Sequence, residues 1–154
     1  MRWNARQCRE HFARARVARL ATADADGLPH LVPVTFALIA GQGQDADTVA
    51  FAVDHKPKRT TALRRLANIA ANPRVCLLAD AYSDDWSRLW WVRADGLARI
   101  VDPGTDSQNA PPEHRTAVRR LQERYAQYRD APPSGPVVLV EVTRWSGWSS
   151  DQPD

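Results

Sequence analysis

The pattern of apolar and polar residues along this chain predicts short strands interrupted by a few helices. Apolar, β-branched runs of strand length occupy residues 17–22, 30–38, 48–54, 74–81, 89–94, 97–101 and 137–145. Apolar residues at three- and four-residue spacing predict helices over residues 5–15, 60–71 and 113–129. The order is helix, three strands, helix, three strands, helix, strand. We therefore expect an α+β fold in which mostly antiparallel strands form a barrel and helices cap its openings.

Two of these elements carry further expectations. Asn4 is the expected N-cap of the first helix, which should turn Ala5, Cys8 and Phe12 inward. The run over residues 74–81 is apolar on both faces, so we expect it to be a central strand with Cys76 buried.

Glycine-containing turns separate several of the predicted strands. Asp24-Ala-Asp-Gly27 follows the first strand and offers a glycine for positive φ. Asp95-Gly96 is a typical two-residue hairpin turn. It predicts that residues 89–94 and 97–101 form a hairpin.

Pro33 lies inside the second predicted strand. Proline cannot donate to a sheet ladder, so we expect this strand to be an edge, a bulge or locally irregular. A broken ladder leaves backbone groups free for a ligand, which makes Pro33, Val34 and Thr35 candidates for contacts to a planar polar ring. The alternative is a kinked edge strand without a ligand.

A basic turn, His55-Lys-Pro-Lys-Arg59, joins the strand ending at Asp54 to the helix over residues 60–71. The free N–H groups and the dipole at a helix N-terminus favour an anion. Lys56, Lys58 and Arg59 would add three positive charges at that point. The turn is therefore either a phosphate pocket or a solvated basic turn.

Composition narrows the class of protein. The chain has 154 residues, 44% hydrophobic and 25% charged, with a formal net charge of +3, which fits one folded domain over residues 1–148 and a polar tail over 149–154. Acidic and basic residues are interspersed, which argues against a nucleic-acid partner. Because the chain lacks a membrane-length apolar run, a signal-peptide core and metal-ligand spacing, we expect a cytoplasmic protein with neither a membrane nor a metal partner.

Six tryptophans are many for a chain of this length. Five cluster in sequence and one stands apart: Trp86, Trp90, Trp91, Trp145 and Trp148, with Trp3 alone. The clusters indicate a shared aromatic wall, in a pocket or at an interface, or else a tryptophan-rich core.

In their order and spacing, four motifs resemble the split β-barrel flavin- and deazaflavin-binding family related to pyridoxamine phosphate oxidase. The motifs are Gly27-x-Pro29-His-x-Val-Pro33-Val, Lys56-Pro-Lys-Arg59, Leu66-x-Asn68 and Asn72-Pro73-Arg-Val75. The closer match within that family is to the coenzyme F420-dependent oxidoreductases. The resemblance runs from residue 16 to Trp148.

This resemblance implies a homodimer with two cofactor sites in grooves between the subunits. It places the phosphate-bearing tail of the cofactor on the basic turn, the ring along the second and third strands, and an aromatic wall on the partner subunit. The tail residues it implies are Lys56, Lys58 and Arg59, with Arg64 and Asn68 as helpers. The ring residues it implies are Pro33, Val34, Thr35 and the backbone of Phe51, Ala52 and Val53, and the wall residues are Trp90, Trp91 and Trp148.

One departure bears on the substrate. Family members that handle pyridoxal phosphate carry a C-terminal Arg-x-His segment, whereas this chain has Arg144-Trp-Ser146. Pyridoxamine phosphate oxidation is therefore not expected, and the substrate pocket is expected to be aromatic.

The resemblance implies hydride transfer by coenzyme F420 to or from a small organic substrate. FMN is the alternative cofactor, and a non-catalytic carrier of a cofactor or of haem is the alternative function. His30 and His55 are each isolated in the sequence, and no arrangement of nucleophile and base is visible. We therefore name no catalytic residue.

Overall fold

The computed structural model describes residues 1–53 and 59–150. Within these ranges the strands are β1 Ala18–Ala23, β2 Pro29–Val34, β3 Ala37–Ile39, β4 Thr48–Ala52, β5 Arg74–Ala81, β6 Trp90–Val101 and β7 Val137–Ser149. The helices are α1 Ala5–Arg14, α2 Arg59–Ala71, α3 Pro112–Arg124 and α4 Ala126–Asp130. Short 3-10 turns occupy Trp86–Arg88 and Ser107–Asn109.

The seven strands form one antiparallel sheet in the order β2-β1-β5-β6-β7-β4-β3. β2 and β3 are consecutive in the chain, yet they occupy opposite edges of this sheet. Only Thr35 and Phe36 join them, and two residues span only a few ångströms. The sheet must therefore curl until its edges approach without pairing, which gives an open barrel. The predicted fold class is confirmed.

The predicted strand over residues 30–38 is wrong, because β2 and β3 are separate strands. Pro33 lies in β2, an edge strand, as its missing N–H requires.

The predicted hairpin at Asp95-Gly96 is also wrong. β6 runs unbroken through both residues, and its register with β7 shifts there as a β-bulge. A Cβ at Gly96 would lie 2.4 Å from the Glu141 carbonyl oxygen and 2.7 Å from Val140 Cγ1. Gly96 is therefore needed for the close approach of β6 to β7. Gly27, with φ 84°, does make the predicted turn.

Helix α1 plugs one opening of the barrel. Asn4 caps it by accepting from the Gln7 N–H at 2.9 Å, as predicted. Cys8 and Phe12 are fully buried, and Phe12 packs against Phe36 in the main core. Ala5, predicted to face inward, is exposed.

A second core lies on the outer side of β3, β4 and the first half of β7, where α3 packs. Its members are Ala37, Ala50, Ala52, Val101, Ala117, Leu121, Val137 and Leu139. The predicted helix over residues 113–129 breaks at Tyr125, whose backbone is extended. The Tyr125 hydroxyl accepts from the Phe36 N–H at 3.1 Å, and Arg124 donates to the Phe36 carbonyl at 2.8 Å. The end of α3 thus holds the short link between β2 and β3.

The other half of the outer surface is not covered within one chain. β5 is an inner strand, as predicted, but Cys76 is half-buried on this outer side rather than placed in the core. Leu31, Leu78 and Leu97 are 68%, 36% and 46% exposed on β2, β5 and β6. We call this surface, with Ala21 and Cys76 between the leucines, the outer face.

Candidate functional site

A small cavity lies between α2 and the turn that joins β1 to β2. Its volume is about 240 Å³, and its lining is Asp24, Leu28, Pro29, His30, Arg64 and Asn68. Arg64 and Asn68 are four residues apart on α2, so both face the same side of the helix. The structure therefore brings together these two predicted residues, and we call this space the α2 cavity.

Asn68 fixes α2 to the barrel. Its side chain is buried, and Nδ2 donates to Thr22 Oγ1 on β1 at 3.0 Å. Because both partners are buried, loss of one would leave an unsatisfied polar group that costs about 1–3 kcal/mol. The residue thus holds the helix that carries Arg64.

One ring nitrogen of His30, Nδ1, is buried without a hydrogen-bond partner in the part of the chain that the structure describes. A buried ring nitrogen in this state is unusual in a native fold. His30 was isolated in the sequence, and only the fold places it beside Arg64.

The basic turn falls where the structure gives no description. Lys56 and Lys58 lie outside the described residues, and the side chain of Arg59 lies outside them as well. α2 begins at Arg59, so the turn directly precedes the helix N-terminus. Their role in binding phosphate remains a prediction.

The predicted ring-binding residues divide between different surroundings. Pro33 is exposed on the outer side, whereas Val34 is buried toward the core. The Thr35 hydroxyl lies 3.2 Å from the Tyr128 hydroxyl. These neighbours along the chain therefore present no single common surface.

The predicted ring-binding residues on β4 and just after it are also divided between different surroundings. Phe51 is fully buried in the main core, and Ala52 faces the second core. Val53 is buried, and its N–H donates to the Pro136 carbonyl at 3.2 Å. A ring along β4 would therefore meet backbone rather than these side chains.

The predicted aromatic wall is divided by the sheet. Trp91 and Trp148 are register partners on β6 and β7 and share the outer side. Trp90 belongs to the opposite side, with ring centroids 6.0 Å from Trp3 and 5.5 Å from His11. The structure brings Trp91 and Trp148 together and separates Trp90 from them.

A larger cavity of about 630 Å³ opens beside Trp91 and Trp148. Its lining is Arg2, Trp3, Trp91, Arg93, Arg144, Trp145, Ser146, Gly147 and Trp148. We call it the Trp–Arg cavity. Sequence reasoning missed Arg2, Trp3 and Arg93 as site residues. The alternation of Trp91 and Arg93 along one strand, and of Arg144, Ser146 and Trp148 along the next, was the available signal.

The chain N-terminus completes this cavity. The Trp3 N–H donates to the Gly147 carbonyl at 3.0 Å, and the Ser149 N–H donates to the Met1 carbonyl at 2.9 Å. A Cβ on Gly147 would lie 2.7 Å from Cys8 Sγ and 3.3 Å from Trp3 Cε3. Glycine at this position therefore lets Trp3 close against the sheet. Trp86, grouped with the other tryptophans by sequence, is instead exposed.

Asp47 holds the inner wall of the Trp–Arg cavity. Its Oδ2 accepts from Trp145 Nε1 at 3.0 Å and from Arg9 Nε at 2.7 Å, and its Oδ1 accepts from the Gly41 N–H at 3.0 Å. Burial raises the pKa of Asp47, but these three donors outweigh burial and hold the pKa below its ordinary value. The indole of Trp145 is thereby fixed in place.

Two further features bear on the class of protein. No group of three or more His, Cys, Asp or Glu residues suited to a metal ion occurs in the described ranges. No helix in those ranges is long and apolar enough to cross a membrane.

An open seven-stranded barrel plugged by a helix is the split-barrel architecture. The sequence match agrees with this architecture. The chain belongs to the pyridoxamine 5'-phosphate oxidase family, which it matches over residues 5–149.

Solved structures of similar fold come from several bacteria. The conserved hypothetical protein Rv2991 from Mycobacterium tuberculosis is 21% identical, with a TM-score of 0.67, covering 99% of this chain and 90% of its own. A FAD-binding protein from Mesorhizobium loti is 20% identical, with a TM-score of 0.63, covering 96% and 93%. HutZ, a heme storage protein from Vibrio cholerae, is 15% identical, with a TM-score of 0.60, covering 94% and 93%. No protein of curated function matches the chain significantly. These likenesses establish the fold.

Proposed function

We propose that this protein is a homodimeric oxidoreductase that uses coenzyme F420 to exchange a hydride with a small organic substrate. The observation that carries the proposal is the α2 cavity, which lies against the helix that the basic turn precedes in the sequence. Arg64 and His30 line the cavity, and the Asp24 carboxylate in the same lining already accepts from the Asp26 and Leu28 N–H groups. Together with membership of the family, this arrangement supports a site for the anionic tail of a flavin-type cofactor.

The residues present fit such a tail. Lys56, Lys58 and Arg59 precede or open α2 in the sequence, so their charges would add to those of the helix N-terminus and Arg64. Three cations on the turn favour the longer and more anionic tail of F420 over the shorter phosphate side chain of FMN. The bound cofactor supplies the hydride chemistry, while the protein binds it, orients it and excludes water.

A second subunit is part of the proposal. The exposed leucines of the outer face, interspersed with charged residues such as Arg19 and Arg93, belong to a surface that an identical subunit would bury. Trp91 and Trp148 lie on the same side of the sheet. We expect these two residues to cover the ring of the cofactor held by the partner subunit.

The cofactor is tested by extraction and titration. Cofactor extracted from purified protein should have the mass of F420. When the apo-protein is titrated, F420 should quench its tryptophan fluorescence at lower concentrations than FMN does. Tighter binding of FMN would show that the cofactor is FMN, and the proposal of a flavin-type site would be retained. Binding of neither compound would overturn the proposal.

A non-catalytic carrier is the second candidate, favoured by the fold shared with HutZ from Vibrio cholerae. His11 is the described residue best suited to it, because Nδ1 donates to the Gln7 carbonyl at 2.9 Å and leaves Nε2 as an acceptor. This ring is stacked on Trp3, with centroids 3.9 Å apart. A haem absorbance band that is lost in His11→Ala, or tight F420 binding without turnover of enones and quinones, would support the carrier.

A further inference from the structure

Three arginines give the lining of the Trp–Arg cavity a positive charge, which one neighbouring carboxylate offsets only in part. Arg2, Arg93 and Arg144 line it, and no carboxylate is among the nine lining residues. Arg93 Nε donates to Asp95 at 3.2 Å, which leaves four of the five guanidinium N–H donors. In the described part of the chain, the Arg2 and Arg144 side chains form no ion pair with an acidic residue. The cavity is therefore prepared for an anion.

The same lining offers flat aromatic surfaces. Trp91 and Trp148 are directly opposed on neighbouring strands, where side chains stand roughly 5 Å apart. Trp3 and Trp145 add two more indoles, and Trp145 is fixed by its bond to Asp47. Tryptophan faces bind planar π systems, and the volume of about 630 Å³ lies within the usual range for small-molecule sites.

Ser146 provides an independent sign of a missing ligand. Its Oγ is buried and has no hydrogen-bond partner among the described residues, yet Ser146 lines the cavity between the two tryptophan-bearing positions. Native proteins rarely leave a buried hydroxyl unsatisfied. Rotation of the Ser146 side chain toward the cavity would let a polar ligand group supply the partner.

This cavity is distinct from the α2 cavity of the same subunit. Trp91 precedes Gly96 by five residues on β6, or roughly 16 Å along a strand. Gly96 pairs with Val75 on β5. The next residue of β5, Cys76, pairs with Ala21 on β1. Thr22, which binds Asn68, follows Ala21 and faces the core. One small ligand therefore cannot span both cavities in one subunit.

We propose that the Trp–Arg cavity binds a planar aromatic anion, an aromatic carboxylate by class. The tryptophans hold the ring, the arginines bind the carboxylate, and the Ser146 hydroxyl adds a hydrogen bond. The proposal that this cavity is a binding site does not depend on which cofactor the protein uses. As an assignment of the substrate class it rests on the proposed oxidoreductase function.

Calorimetric titration of the full-length protein with 2-naphthoate tests the site. We expect one naphthoate per chain, and weaker binding of the uncharged 2-naphthamide and of the non-aromatic cyclohexanecarboxylate. Arg144→Gln and Arg93→Gln should each weaken naphthoate binding at least roughly tenfold, with little effect on naphthamide. Arg120→Gln, an exposed arginine on α3, is the matched control and should leave both affinities unchanged.

Ser146→Ala separates a ligand contact from a structural role. It should weaken naphthoate binding severalfold while the melting temperature stays the same or rises, since it removes an unsatisfied hydroxyl. Equal affinity for naphthamide, or no response to Arg144→Gln, would overturn the site. Arginine-dependent naphthoate binding by a protein that binds neither cofactor would retain the site and remove the proposed function.

Discussion

Asp47 shows how one buried side chain connects distant parts of this fold. It is 6% exposed, and it accepts hydrogen bonds from α1, from the loop before β4 and from β7 through Arg9, Gly41 and Trp145. Its backbone carbonyl also accepts from the Val142 N–H at 2.9 Å. A buried carboxylate is stable only with such partners. The wall of the Trp–Arg cavity therefore depends on a residue outside its lining.

Replacement of Asp47 by Asn should lower the free energy of unfolding by roughly 1.5–3 kcal/mol at neutral pH, because charged hydrogen bonds are lost. The pKa of Asp47 is lower in the folded protein than its ordinary value. Its contribution is therefore complete above the unfolded pKa of about 3.9 and is lost as pH falls through the folded pKa. Urea unfolding of both proteins between neutral and acidic pH measures this.

The stability difference between the native protein and Asp47→Asn should shrink as the pH falls below about 4. Glu10→Gln is the matched control, because Glu10 pairs with Arg6 on the surface of α1 at 3.0 Å. Exposed pairs of this kind contribute about 0.3–0.5 kcal/mol. A pH-independent difference for Asp47→Asn, or one no larger than that of Glu10→Gln, would contradict this account.

At the scale of helices and strands, local signals locate irregular positions but not their partners. Pro33 correctly marks an edge strand, but nothing local indicates that the chain then crosses to the opposite edge of the sheet. Asp95-Gly96 correctly marks a special backbone position. Whether such a pair turns the chain or admits a bulge is decided by β7, which approaches Gly96 closely.

The candidate site also combines residues that sequence reasoning identified with residues that only the fold brings together. Arg64 and Asn68 were expected because the family resemblance implies them, and their four-residue spacing puts them on one helix face. His30 was not, since its proximity to α2 arises only when β1 and β2 pair and Asn68 binds Thr22. Trp91 and Trp148 were predicted as one surface with Trp90, yet adjacent residues of a strand point to opposite sides. Trp3 was missed because its site is formed by pairing between the N-terminus and the end of β7.

For the whole molecule, the outer face is the surface on which the proposed dimer depends. Leu31 and Cys76 both flank Ala21 in one row across β2, β1 and β5, and Leu78 lies nearby on β5. Leu78 stands between Arg19 and Arg93 in its row, and such a mixture of apolar and charged residues fits the composition of a subunit interface.

Leu31→Glu with Leu78→Glu should convert the protein from dimer to monomer at micromolar concentration, because each interface would then bury unpaired carboxylates. Analytical ultracentrifugation measures the mass directly. Val17→Glu is the matched control, since Val17 is also an exposed apolar residue but lies before β1 and lines neither cavity. A native protein that sediments as a monomer, or a double variant that stays dimeric, would show that this surface is not the interface.

The account as a whole depends on the basic turn before α2 holding the anionic tail of a redox cofactor. The most direct measurement is the dissociation constant of F420 for the native protein and for Lys56→Ala with Lys58→Ala. Charged hydrogen bonds contribute roughly 1.5–3 kcal/mol each, so the pair should weaken binding on the order of a hundredfold or more. The matched control, Arg119→Ala with Arg120→Ala on exposed positions of α3, should leave the affinity unchanged. An F420 affinity unaltered by the lysine substitutions would contradict the account.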